Sequence, residues 1–227
     1  MRLSCALSHT ADVTAERLLR FTRTERAAHW LVAATFAAIL LSGTQMPHTW
    51  DADQPVLDVH VGCAALLVAG LALLLWRADG AALFRTGVQL ATTEPDDAAW
   101  LLGVPARLRT GAPPPPVGRF NAGQKLNARL STLGFGVLYV TGVGVLLAGG
   151  GLPQGPLHTL MTVALCGLLS GHVFMAVLNP ATRHALRGMT LGDVDRDWAE
   201  RHHPLWVASV DREATVRRSD PEVCDGP

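Results

Sequence analysis

Four stretches of this chain are almost bare of charge: Ala27 to Gly43, Val59 to Trp76, Leu130 to Leu152 and Gly155 to Leu178. A helix rising about 1.5 Å per residue needs about 20 apolar residues to cross about 30 Å of hydrocarbon, and each stretch lies close to that length. Soluble helices of this size carry a polar stripe, and these carry none. The expected fold is therefore all-α and integral to a membrane: a four-helix up-down transmembrane bundle. Composition agrees, with 17% of residues charged against about 25% in soluble domains. The 19 basic residues are balanced by 19 acidic ones, which excludes nucleic-acid binding through bulk positive charge. Cys5, Cys63, Cys166 and Cys224 stand far apart with no C-x-x-C pair. That spacing argues against a disulfide scaffold, a zinc ribbon or a Cys-ligated iron–sulfur cluster.

The basic residues orient the bundle. All 19 fall before the first stretch (Arg2 to Arg26), between the second and third (Arg77 to Arg129), or after the fourth (Arg183 to Arg218). The connections Gln45 to Asp58 and Gly149 to Pro156 hold none. The positive-inside rule then places both termini and the long middle loop in the cytoplasm. Residues 1–20 carry Asp12, Glu16 and Arg17 rather than the apolar core of a signal peptide. The expected organisation is a cytoplasmic segment 1–24, a membrane domain 25–206 with its middle loop at about 77–126, and a flexible tail 207–227. Within the loop, Asp96 to Arg109 reads as a short interfacial helix and Pro113 to Pro116 as a stiff spacer. Val194 to Arg201 reads as a surface helix ending near Pro204, and Asp58 as a helix cap at the outer edge. There is no internal repeat and no phosphate-binding glycine loop.

Four of the nine histidines lie in the spans: His29, His60, His158 and His172. Ionisable residues at membrane depth are costly, and each is a functional candidate, weighed against a neutral His bonded to a neighbouring helix. Span direction sets their depth. His60 and His158 fall near the outer face, and His29 and His172 near the inner face. His158 and His172 lie about 21 Å apart along one helix and within about 40° of one face. Two imidazoles facing one another across a bundle are what a six-coordinate b-type haem requires, whereas zinc wants three or four ligands at one depth. The expectation is two stacked haems, ligated by His60 with His158 and by His29 with His172. Gly62, Ala64, Ala65, Ala69, Gly70, Gly167 and Gly171 leave room for a flat macrocycle, although small residues also serve plain helix packing. His9 and His48 fall in a tail and an outer loop; His184, His202 and His203 read as solvated tail residues. Cys63 and Cys166 read as small packing residues.

Three motifs add to this: Glu25-Arg26-Ala27-Ala28-His29-Trp30; Arg119-Phe120-Asn121-Ala122-Gly123-Gln124-Lys125; and His172 to Ala176 followed by Arg187-Gly188-Met189, Gly192, Val194, Trp198-Ala199 and His202-His203-Pro204. Together, over about residues 20 to 206, they resemble the gamma, cytochrome b subunit of membrane-bound formate dehydrogenases. The resemblance implies the same histidine pairs as axial ligands of two haem b groups. It also implies a quinone site (menaquinone or ubiquinone) at Asn121, Gly123 and Gln124, beside the inner haem. An amide side chain and a glycine N–H can bind a quinone carbonyl, and the plainer reading of the run is a polar helix start. The implied partners are an iron–sulfur electron-transfer subunit and a molybdenum- or tungsten-containing catalytic subunit, in the lipid of a bacterial inner membrane.

The function expected on these grounds is electron transfer from an outer iron–sulfur partner to a quinone reduced near the cytoplasm, as one subunit of an oxidoreductase. Three alternatives stand beside it: a hydrogenase or thiosulfate reductase cytochrome b, a haem-free membrane anchor, and a transporter. The last is weakened by the lack of Asp or Glu within the spans.

Overall fold

The computed structural model describes residues 16–46, 54–77, 79–148 and 155–219. In chain order these form strand β1 (Arg17–Leu19) and helices α1 (Arg23–Thr44), α2 (Gln54–Arg77), α3 (Gly80–Ala91), α4 (Asp97–Leu102), α5 (Val104–Thr110), α6 (Ala122–Leu147) and α7 (Gly155–Val173). A π-helical turn (Phe174–Leu178) continues α7, and a 3-10 turn (Arg183–Ala185) leads to α8 (Leu186–Thr190), strand β2 (Asp193–Asp195), α9 (Arg196–His202) and α10 (Pro204–Ser219). Helices α1, α2, α6 and α7 with its π turn are long and apolar enough to cross a membrane. The chain is thus the helical bundle that the charge-free stretches indicate. His9, His48 and the expected turn over 149–154 lie outside the described residues.

Both odd spans start on a reciprocal cap. Thr22 Oγ1 accepts the Glu25 N–H at 3.3 Å while Glu25 Oε2 accepts the Thr22 N–H at 2.7 Å. Asn121 and Gln124 repeat the arrangement at the start of α6, both bonds at 2.9 Å. Each box satisfies two of the orphan donors at a helix start. Helix α6 therefore begins well before the expected Leu130. Its charged first turns persist because the middle loop neutralises them: Lys125 Nζ donates to Asp97 at 3.0 Å and pairs with Glu94 at 3.3 Å. Arg129 donates to the carbonyls of Leu90 and Thr92.

The spans pack as two hairpins, α1 on α2 and α6 on α7. Gly70 is a packing glycine, since a Cβ there would lie 2.6 Å from Leu31 Cδ2; at Gly134 it would lie 2.8 Å from Leu165 Cδ2. Across the hairpins, Phe36 meets Phe135 edge to face at 5.2 Å. Helix α3 wedges against α1, α2 and α6 at the end of the bundle that carries the basic residues, here called the basic end.

The chain beyond α7 folds back over that basic end. Strands β1 and β2 pair antiparallel, with Leu18 opposite Val194. Leu18, Val194, Trp198, Ala199, Trp206 and Val207 form a buried cluster beneath them. Gly192 makes the sharp return: its φ of +102° suits glycine, and its carbonyl accepts from the N–H of both Arg20 and Phe21. Trp30 Nε1 donates to the Met189 carbonyl at 3.0 Å, tying this cap to α1.

Several local expectations change. The single helix expected over Asp96 to Arg109 breaks at Gly103 into α4 and α5. Val194 pairs in β2, and the helix expected from it begins at Arg196. Pro204 opens α10 instead of closing the region, because proline lacks only an N–H that the first helical turn does not use. That helix runs to Ser219, into the segment 207–227. Asp58 lies inside α2 rather than at its cap.

Candidate functional site

The fold brings the four intramembrane histidines together as two pairs, each bridging from one hairpin to the other. Toward the basic end, the ring centres of His29 on α1 and His172 on α7 are 6.0 Å apart, with planes inclined at 57°. Toward the opposite end, those of His60 on α2 and His158 on α7 are 6.4 Å apart, inclined at 54°. No group of three or more His, Cys, Asp or Glu gathers among the described residues.

These separations carry chemical information. Metal–imidazole bonds of about 2 Å, with ring nitrogens about 1 Å from the ring centres, set two trans imidazoles about 6 Å apart. Both pairs match that span. Direct hydrogen bonding between imidazoles, by contrast, would lock one ring as donor and the other as acceptor. The donor set therefore fits a six-coordinate haem iron at each level.

The contacts of the far pair suit one tautomer. Ser42 Oγ lies 3.1 Å from His60 Nδ1, and Thr141 Oγ1 lies 2.9 Å from His158 Nδ1. Each hydroxyl has one proton. Ser42 directs it to the Ala38 carbonyl at 2.8 Å, and Thr141 to the Val137 carbonyl at 2.7 Å, the back-bonding habit of hydroxyls in helices. The hydroxyl oxygen is left as acceptor, the imidazole N–H sits on Nδ1, and the Nε2 lone pair is free to bind a metal. A glycine follows each hydroxyl and lies beside the same ring: a Cβ at Gly43 would be in ordinary contact with His60 Cε1 at 3.4 Å, and one at Gly142 would press slightly on His158 Cε1 at 3.3 Å. Among the described residues His29 and His172 make no such bond; His29 instead meets Trp30 edge-on at 5.3 Å.

The small residues divide into two groups. Gly70 serves α1–α2 packing, as above. A Cβ at Gly62, Gly167 or Gly171 would meet nothing within 4 Å, so the chain's own packing does not require glycine at these positions. Directly after His172 and Val173, α7 widens into its π turn, a feature frequent at functional sites.

Asn121, Gly123 and Gln124 sit together at the start of α6. Their amide oxygens are committed to the capping box, leaving the two NH2 groups as donors. A Cβ on Gly123 would lie 3.3 Å from the Trp100 ring, so α4 closes over this turn.

The basic end also holds a network that the sequence reading missed. His203, expected to be solvated, is 3% exposed. Its Nδ1–H donates to the Gly118 carbonyl at 2.8 Å, and its Nε2 accepts from Arg20 Nη2 at 3.0 Å. Burial, and then the neighbouring Arg20 charge, push His203 down to about 3. Arg20 is itself 3% exposed, and its ring contacts include Trp198 at 5.3 Å and Trp206 at 5.7 Å. Burial lowers it to about 9, with the nearby Arg119 charge adding to the effect. His202 is half-buried and stacks on Trp198 at 4.7 Å, while His184 is exposed. Arg119 is the hub: it donates to Thr86 Oγ1 (2.8 Å), Gln89 Oε1 (3.2 Å), the Arg20 carbonyl (2.5 Å) and Glu25 Oε1 (2.7 Å). Thr86 also bonds Glu25. A cavity of about 670 Å³ opens here, lined by Arg20, Glu25, Arg85, Arg119 and Lys125 among others. The signal available in the sequence was the density of Arg and Trp flanking α1 and α9; which partner each would find was not.

A family model described as prokaryotic cytochrome b561 matches residues 20–192. Among curated proteins, the chain is similar to the cytochrome b556(Fdn) subunit of the nitrate-inducible formate dehydrogenase of Escherichia coli (strain K12). The two are 26% identical over 210 residues, covering 86% of this chain and 93% of that subunit. The subunits of the same name from Escherichia coli O157:H7 and Shigella flexneri match with the same figures.

Proposed function

Because this chain belongs to the prokaryotic cytochrome b561 family, we propose that it is the di-haem b cytochrome subunit of a respiratory formate dehydrogenase. Its place would be a bacterial inner membrane, with both termini in the cytoplasm. The observation that carries this is the pair of cross-hairpin imidazole pairs, at 6.0 and 6.4 Å. Haem b at each pair would supply reversible one-electron transfer. His60 and His158 would hold the outer group, oriented by Ser42 and Thr141. His29 and His172 would hold the inner one, below the cap formed by β1, β2 and α9. Phe36 and Leu165, both buried, and Phe135 against Phe36 would form apolar packing between the two levels. The free NH2 donors of Asn121 and Gln124, with Gly123, would bind a quinone carbonyl at the cytoplasmic face. The basic-end cavity, lined by charged and hydroxyl side chains, would supply protons from the cytoplasmic side. Formate would be oxidised on a separate molybdenum- or tungsten-containing subunit, with an iron–sulfur subunit feeding the outer level. The sequence identity to the formate dehydrogenase cytochrome over most of both chains favours this partner set.

The test is haem counting. A reduced-minus-oxidised spectrum with extracted haem quantified should give two b haems per chain, and His60→Ala or His172→Ala should each remove one while the protein still inserts. Retention of both haems in either variant would overturn the pairing. Assembled protein that carries no haem although produced with haem in ample supply would leave a membrane anchor, and copurification with a hydrogenase or thiosulfate reductase would change the donor.

A further inference from the structure

The two hairpins use the same device at the same level. In each, the first helix carries a hydroxyl residue followed by glycine, Ser42-Gly43 on α1 and Thr141-Gly142 on α6. In each, that pair faces the histidine of the second helix, His60 on α2 or His158 on α7. Each glycine lies against the ring itself, and a Cβ would come 3.4 Å from His60 Cε1 at Gly43 and 3.3 Å from His158 Cε1 at Gly142. Each hydroxyl proton is fixed on a carbonyl one helical turn back, at 2.8 Å for Ser42 and 2.7 Å for Thr141. Secondary contacts to Ile39 and Leu138 hold the same rotamers. A hydroxyl that donates becomes a better acceptor, so each Nδ1–H faces a polarised oxygen. The pair at the basic end has no counterpart among the described residues.

We infer that Ser42 and Thr141 are positioning residues that set the reduction potential of the His60/His158 site below that of the His29/His172 site. The physical link is the imidazole. A ring that donates a strong hydrogen bond from Nδ1 gains anionic character and becomes a stronger ligand through Nε2. Stronger donation favours the ferric over the ferrous state, which lowers the potential. Two such bonds would act on the iron at His60/His158, and among the described residues none would act on the iron at His29/His172. The asymmetry makes electron transfer downhill from the outer level to the inner one, the direction in which quinone reduction consumes electrons. This inference rests on the di-haem reading proposed above.

Potentiometric titration of the purified full-length protein, followed by haem absorbance, tests it. The wild type should show two transitions, and His29→Ala, which leaves the His60/His158 site, should retain the lower one. Ser42→Ala and Thr141→Val should each raise that lower transition and leave the upper one in place. Ser42→Thr and Thr141→Ser, which keep the hydroxyl, should restore it. Two haems with unmoved potentials in both hydroxyl-deleted variants would overturn the inference while leaving the di-haem reading intact. Loss of the outer haem in both, with retention in the Ser/Thr exchanges, would make the hydroxyls anchors and would also overturn it. A wild type without two haems would instead overturn the reading beneath it.

Discussion

Lowering the pH from about 7.5 to about 5 is expected to loosen the docking of α9 and α10 on β1 through His203. In the folded protein burial and Arg20 hold this imidazole neutral down to about 3, against an ordinary 6.5. The undocked chain therefore binds a proton as pH falls through 6.5, and the docked chain does not. The sign follows: the stabilisation is fully present above pH 6.5 and is lost progressively toward pH 3. At about pH 5 the undocked state gains about 1.5 pH units of protonation free energy, about 2 kcal/mol, or about a thirtyfold change in the docking equilibrium. Hydrogen–deuterium exchange, normalised to the intrinsic rate at each pH, reads this directly in peptides spanning β2, α9 and the start of α10. Protection there should fall about thirtyfold between the two pH values. His203→Gln keeps a donor and an acceptor but does not titrate, so its protection should stay level. Unchanged protection in the wild type, or an equal fall in the variant, would refute the reasoning.

Other predictions follow from the basic end and from the start of α6. Arg119→Ala strips its cation from Glu25, whose side chain is 4% exposed; thermal unfolding in detergent should show a loss of about 3 kcal/mol, because the carboxylate stays buried and under-compensated. Asn121→Asp and Gln124→Glu keep the capping oxygens and remove the NH2 donors. Stability should stay within about 1 kcal/mol while quinone reduction falls with haem content unchanged. Unaltered quinone reduction would confine these residues to the cap.

The parts of the fold legible in the sequence were those governed by the solvent around each helix. A span in lipid must be apolar all round, so α1, α2 and α7 announce themselves within a few residues, and alternating direction then sorts His29, His60, His158 and His172 into levels. The start of α6 was harder, since Lys125 and Arg129 look like the end of a span until Asp97, Glu94 and two loop carbonyls neutralise them. The Asn-x-x-Gln box could be read as either a cap or a quinone site, and the structure commits its oxygens to the cap.

Hydropathy and charge along the chain determined that this protein crosses a membrane four times and which histidines share a depth. Only the tertiary structure decided what each ring touches. His203 is buried because Gly118 and Arg20, 85 and 183 residues away in sequence, converge on it. Ser42 and Thr141 look like ordinary helix hydroxyls until the partner helix of each hairpin brings His60 and His158 against them. Burial in lipid is a property of a segment and is written locally. A hydrogen bond between distant side chains depends on how two packed helices are rotated and aligned, and no single segment carries that information.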